Sequence, residues 1–280
     1  RAWPTLYVIG GFPGDLGQAR TAWWMWCDRL KNTDFVVAYL DGECGTGHHV
    51  FADSSNNGPR GTALVEEFIP WLEASYPLRR DAAGRLLTGH SSGGWSSLWL
   101  QVMHPTTFGG TWSTAPDPVD FHAFQAIDIY ADEANAYTLA DGTPAPIARN
   151  ANGDVVITVR DFCAMEAVLG RGGQINSFEW VFSPRGDDGR PRPLFDRATG
   201  KVDPEVAEAW KAYDIHRILS ERWGELQEPL SGKIHIYMGN DDTFFLDEAV
   251  RRMKQGLSRL GGDVVIEMMP GDHSSILYGD

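Results

Sequence analysis

The sequence predicts an α/β fold built on a mostly parallel sheet with helices on both faces. Three observations carry that prediction. Short apolar runs of strand length alternate with segments of helical period, turn residues punctuate the boundaries, and 280 residues suffice for one large domain with its own core. Leu6-Tyr7-Val8-Ile9 reads as a buried strand running into Gly10-Gly11-Phe12-Pro13-Gly14, and a helix follows over Thr21 to Leu30. Asp34 to Leu40 is a second strand. Val65, Ile69, Leu72 and Tyr76 then mark the apolar face of a helix that carries Glu66, Glu67 and Glu73 on its other side, with Pro70 as a kink or as the true start.

Leu86 to Thr88 reads as a short strand, Gly93 to Met103 as a helix and Gly110 to Thr114 as another strand. The rhythm resumes near the end with strand Lys233 to Met238, helix Phe245 to Leu260 and strand Asp263 to Met268. Between about 116 and 232 it breaks. Asn152-Gly153, flanked by apolar runs, signals a two-residue hairpin, Ser183 to Lys201 reads as a long exposed loop, and a helix lies near Pro204 to Arg222. One domain with this segment inserted over the carboxyl edge of the sheet, where such folds place ligands, is the expected organisation.

Lys plus Arg total 24 and Asp plus Glu 38, a formal charge of −14 that repels phosphate backbones, so nucleic acid is not an expected partner. No window approaches the ~18 apolar residues of a membrane helix. The three cysteines, Cys27, Cys44 and Cys163, leave room for one disulfide at most and show no metal-binding spacing. The chain begins at Arg1 without an initiator Met and reaches strand-like sequence at once, which suggests processing, trimming or a fragment boundary and leaves a cytoplasmic or an exported location open.

Chemistry concentrates at Gly89-His90-Ser91-Ser92-Gly93-Gly94. A strand before it and a helix after it make this the strand, tight turn, helix arrangement of a nucleophile elbow. The turn lifts the Ser91 hydroxyl clear and aims the Ser92 N–H, at the helix start, toward a developing oxyanion. A serine hydroxyl is inert near neutral pH without a base, and the base needs an orienting carboxylate. In α/β-hydrolases both follow the serine on loops after later strands, here Gly239-Asn240-Asp241-Asp242 and Pro270-Gly271-Asp272-His273. His273 is the expected base. The spacing from Gly239 favours Asp242 over Asp241 as the acid, and Asp272 reads as a loop carboxylate. The second oxyanion donor should come from the loop after the first strand, with Phe12 ahead of Gly11.

These residues resemble the esterase family of α/β-hydrolases that includes esterase D, enterochelin esterases, feruloyl and acetylxylan esterases and mycolyltransferases. The resemblance spans nearly the whole chain and is most specific at the elbow. It implies a serine carboxylesterase that forms an acyl-enzyme without a cofactor and takes a small-molecule or carbohydrate-linked ester. An acyltransferase using the same residues and a non-catalytic receptor on the same scaffold are the rival readings. Substrate contacts are expected from Trp23, His48 and His90, although His90 also reads as structural. Asp41, Glu43, His48, His49 and Asp53 cluster in one loop but lack metal-ligand spacing, so no metal is expected.

Overall fold

The computed structural model describes residues 1–20, 31, 33–170 and 173–278. Six parallel strands form the central sheet: β1 (Thr5–Ile9), β2 (Val36–Leu40), β3 (Arg85–His90), β4 (Gly110–Thr114), β7 (Ile234–Gly239) and β8 (Val265–Met269), in the order β8-β7-β4-β3-β1-β2. Strands β5 (Pro146–Arg149) and β6 (Val155–Thr158) make a separate antiparallel hairpin. The helices are α1 (Arg60–Ala63), α2 (Ile69–Ser75), α3 (Ser92–Met103), α4 (Val159–Leu169), α5 (Gln174–Phe182), α6 (Pro204–Trp210), α7 (Ile215–Leu230) and α8 (Asp247–Arg259). Residues 16–20 are helical as well, while most of the helix expected at Thr21 to Leu30, with Trp23, Trp24, Trp26 and Cys27, lies outside the described residues.

Burial along the central strands alternates as the pleat requires. Leu87, Thr111, Ser113, Ile234, Ile236 and Met238 are inaccessible, and their neighbours Leu86, Trp112, His235 and Tyr237 are half-buried. Helix α3 packs on β3 and β4 over the inaccessible face and is flanked there by α7, which in turn contacts α8. Trp95 and Trp99 of α3 stack at 5.1 Å between ring centroids, and Trp95 also meets Phe182 of α5. Among the described residues, no helix is long and apolar enough to cross a membrane.

Four expectations need correction. Pro70 does stand at the start of α2, but the segment from Val65 is not one α-helix: between α1 and α2 the turn Leu64–Phe68 is a π-helix, in which the Ile69 N–H bonds the Leu64 carbonyl. Proline lacks an N–H and its ring crowds the carbonyl four residues earlier, so the preceding turn widens. Second, Tyr76 is exposed and Glu73 is buried, the reverse of the helical face anticipated, because the Arg85 guanidinium grips both Glu73 oxygens at 2.6 and 2.9 Å. Third, the β5–β6 turn is longer than two residues. The Asn150 N–H donates to the Asp154 carbonyl, and Gly153 takes φ 86° as the left-handed residue of a three-residue loop. Fourth, the helix expected at Pro204 to Arg222 is two helices. Asp214 caps a fresh start by accepting the Arg217 N–H, as Asp203 does for α6 from Glu205 and Val206.

Glu73 is 4% exposed, and its partner Arg85, the first residue of the interior strand β3, is 17% exposed. Glu73→Ala would leave the guanidinium with backbone carbonyls alone and should cost about 3 kcal/mol. The change in denaturant midpoint measures this, and a cost below about 0.5 kcal/mol would mean that solvent already screens the pair.

Candidate active site

The sharp turn after β3 has room for backbone only. A Cβ on Gly89 would strike the Gly93 carbonyl, one on Gly93 would strike the carbonyl of Ile9 at the end of β1, and one on Gly94 would stand 2.8 Å from the Thr114 carbonyl. Between these glycines Ser91 adopts φ 59° and ψ −124°, a strained conformation for a residue with a side chain. It is held there by the Ser91 N–H bonding the Thr114 carbonyl at 3.0 Å, and by its own carbonyl accepting from Trp95 and Asp117 at 3.0 and 3.2 Å. Ser92 is the first residue of α3, so its N–H is among those without a partner inside the helix.

Strands β7 and β8 end side by side, and their loops bring Asp242 and His273 together. Asp242 Oδ2 lies 2.7 Å from His273 Nδ1, with both side chains buried. The other carboxylate oxygen accepts the Phe244 and Leu246 N–H groups at 2.8 and 3.3 Å, which fixes the plane of the carboxylate. Asp241 is exposed on the same loop and does not meet the imidazole. Asp272 accepts the Ser274 and Ser275 N–H groups and shapes the turn that presents His273.

Ser91 and His273 open onto one cavity of about 320 Å³, whose wall includes Gly11, Phe12 and His90. Gly11 passes so close to the elbow that a Cβ on it would sit 3.2 Å from that of Ser91. Segment 116–232 supplies Asp117, Pro118, Gln125, Gln174 and Phe178 to the same wall.

His48 does not contact this cavity. It is 1% exposed, its Nδ1 accepts the Val50 N–H at 2.8 Å, and its Nε2 meets the Gly10 carbonyl at 3.2 Å. The ring thus braces the loop that carries Gly11 and Phe12, and burial pushes its pKa down to about 4, so it is neutral. Neighbouring His49 likewise accepts the Phe51 N–H, at 3.1 Å. Among the described residues no cluster of His, Cys, Asp and Glu could hold a metal ion. His90 does face the cavity, with its ring 4.6 Å from that of His273; burial, and then the neighbouring imidazole, lower its pKa to about 4. Trp23 lies outside the described residues.

Sequence reasoning missed Asp117. Its carboxylate is 3% exposed and accepts the Ser92 hydroxyl at 2.5 Å, and burial raises its pKa to about 6. The available signal was its position, on the loop after β4 at the same sheet edge as the elbow.

An elbow serine, an imidazole on a carboxylate and a glycine loop opposite them on a parallel sheet define a hydrolase-type site. A family model described as "Putative esterase" matches residues 52–259, and the chain belongs to that family of carboxylic ester hydrolases. No curated protein matches the chain. Among solved structures it is similar to a ferulic acid esterase, at 13% identity and a TM-score of 0.58 over 99% of this chain and 81% of the other. It is also similar to FphF of Staphylococcus aureus, a fluorophosphonate-binding serine hydrolase, at 13% and 0.56 over 99% and 80%. A third is an S-formylglutathione hydrolase from Agrobacterium tumefaciens, at 12% and 0.56 over 99% and 79%. At such identities these likenesses speak for the α/β-hydrolase fold.

Asp117 remains protonated in the folded chain at pH values where the unfolded chain has ionised. The native state therefore binds more protons between about pH 4 and 6, and stability falls as pH rises through that window. Asp117→Asn removes this titration. Its stability relative to the wild type should grow by about 3 kcal/mol from pH 4 to pH 7, read from denaturant midpoints. A difference that stays constant over the range would show that the carboxyl ionises normally.

Proposed function

We propose that the chain hydrolyses carboxylic esters through an acyl-enzyme on Ser91, with His273 as base and acid and Asp242 as the orienting carboxylate. The observation that carries this reading is the 2.7 Å contact between His273 and a fully buried Asp242, facing a cavity shared with a strained elbow serine. The Ser91 oxygen adds to the ester carbonyl carbon while its proton passes to His273 Nε2. The resulting oxyanion accepts the Ser92 N–H and a second N–H from the glycine loop, Phe12 before Gly11. Collapse breaks the bond to the alkoxy oxygen, which takes the proton from His273 and leaves as the alcohol. Water then repeats the sequence at the acyl carbon and releases the acid.

Asp242 is suited to its part because two backbone N–H groups already hold it, so its remaining oxygen keeps the imidazole oriented without rearrangement. No step calls on a cofactor, and the ester substrate need not be large, since the cavity is close to the lower end of ordinary ligand sites.

Fluorophosphonate labelling tests the reading, alongside release of p-nitrophenol from short-chain esters. Ser91→Ala should lose labelling and about 10⁶ in turnover. Asp242→Asn should cost roughly 10⁴, with Asp241→Asn nearly silent. A wild type that is folded yet unlabelled and inactive would refute the assignment, and a larger loss from Asp241→Asn would move the acid to that position.

A further inference from the structure

Gln125 sits at the apex of a tight turn in which Phe124 and Ile127 exchange both backbone hydrogen bonds, at 2.8 and 3.1 Å. At φ 57° it occupies a left-handed position that favours glycine or asparagine. The residue is 8% exposed, and its carboxamide has no hydrogen-bond partner among the described residues. The carboxamide is also absent from the sealed, partnerless polar atoms of the interior, so solvent reaches it, and the solvent it borders is the cavity of Ser91 and His273. The amide is thus free to bond a solute in that cavity, while the backbone bears the cost of a non-glycine residue at that turn position. Both features fall on one residue of the cavity wall.

Asp117 lines the same cavity and has acceptor capacity to spare. It accepts a short hydrogen bond from Ser92, and the Gln174 amide is a further side-chain donor, while a carboxylate offers about four lone-pair sites. Gln174 stands beside the pair, its amide nitrogen 3.5 Å from the Ser92 hydroxyl. A group that serves both residues must donate to the carboxylate and accept from the carboxamide N–H. A neutral hydroxyl does this. A substrate anion would be repelled by Asp117, and an ammonium would offer the Gln125 amide nitrogen nothing to donate to.

We infer that Gln125 and Asp117 form a subsite that selects esters carrying a neutral hydroxyl close to the scissile bond, so that the reaction discriminates against the matching unsubstituted ester. This rests on the esterase reading above. The hydroxyl can belong to the acyl group or to the alcohol, and two substrate pairs separate these sources: p-nitrophenyl 3-hydroxybutyrate against the butyrate, and 2,3-dihydroxypropyl butyrate against propyl butyrate. Gln125→Gly is the informative variant, since glycine accepts the backbone conformation while removing the amide.

Gln125→Gly should keep or raise Tm, label with fluorophosphonate as the wild type does, and lower the ratio of kcat/KM for hydroxylated over plain ester by roughly tenfold in one of the two pairs. Asp117→Asn should lower the same ratio. A loss of kcat/KM shared equally by both members of each pair, or ratios left unchanged by both variants, would overturn the subsite while the labelling kept the esterase reading intact. Stronger turnover of the 3-amino analogue than of the 3-hydroxy ester would overturn it too, in favour of a cationic substrate. A wild type that neither labels nor turns over any of these esters would overturn both readings together.

Discussion

Helix α3 begins where the ends of β1, β3 and β4 converge, and only bare backbone fits there. Gly89, Gly93 and Gly94 each face a carbonyl of the adjoining chain at a distance no side chain tolerates. This crowding forces the strand-to-helix turn into the strained geometry of Ser91, and it brings four loops into reach of that serine. The loop after β1 supplies Gly11 and Phe12, the loop after β4 supplies Asp117, and the neighbouring β7 and β8 loops supply Asp242 and His273. The parallel sheet matters to function in this one respect: all its strands end at the same edge. A site assembled from five sequence-distant loops is positioned by a contact between glycines and carbonyls.

Burial then assigns the charge states. His48 and His90 are both depressed to about 4 by desolvation, so near neutral pH one braces the glycine loop and the other stands against His273 without adding a positive charge. Asp117 is moved the other way, to about 6, and its hydrogen bond from Ser92 only partly offsets the cost of burial. Asp242, likewise inaccessible, accepts from two backbone N–H groups and meets the imidazole with its other oxygen, so its orientation is fixed.

The strands, the elbow turn and the placing of Asp242 and His273 on the loops after β7 and β8 were legible because each follows from a local rule: period, turn chemistry, or chain order after a known motif. What escaped the sequence depends on contacts between distant segments. Glu73 looks like a solvated helix residue until Arg85, twelve positions on, arrives from the sheet. His48 has the composition of a substrate or metal ligand, and only the fold shows both ring nitrogens already engaged with Val50 and Gly10. Asp117 and Gln125 lie in a segment without periodic pattern, where no spacing rule applies. Their significance comes from the cavity they line.

Backbone strain connects these levels. Among the described residues seven non-glycine residues have positive φ, and most flank the site: Val50 and Phe51 beyond the brace histidines, Ser91 on the elbow, Ala115 beside Asp117, Gln125 on the cavity wall and Phe245 beyond Asp242. Val50 is β-branched, which makes φ 45° especially unfavourable. Nearly all are pinned from outside. The Val50 and Phe51 N–H groups donate to the rings of His48 and His49, that of Ser91 to Thr114, that of Ala115 to Tyr237 and that of Phe245 to the Asp242 carbonyl. Conformations that cost of order 1–3 kcal/mol each persist only where surrounding structure over-determines them. Here the over-determination comes from the sheet edge and from the rings of His48 and His49, so the rigidity that positions the groups of the candidate site and the strain that accompanies it have a common source. Gln125 differs from these five in that its own N–H has no such partner among the described residues: its turn is closed by the bonds between Phe124 and Ile127, and the residue itself borders the cavity.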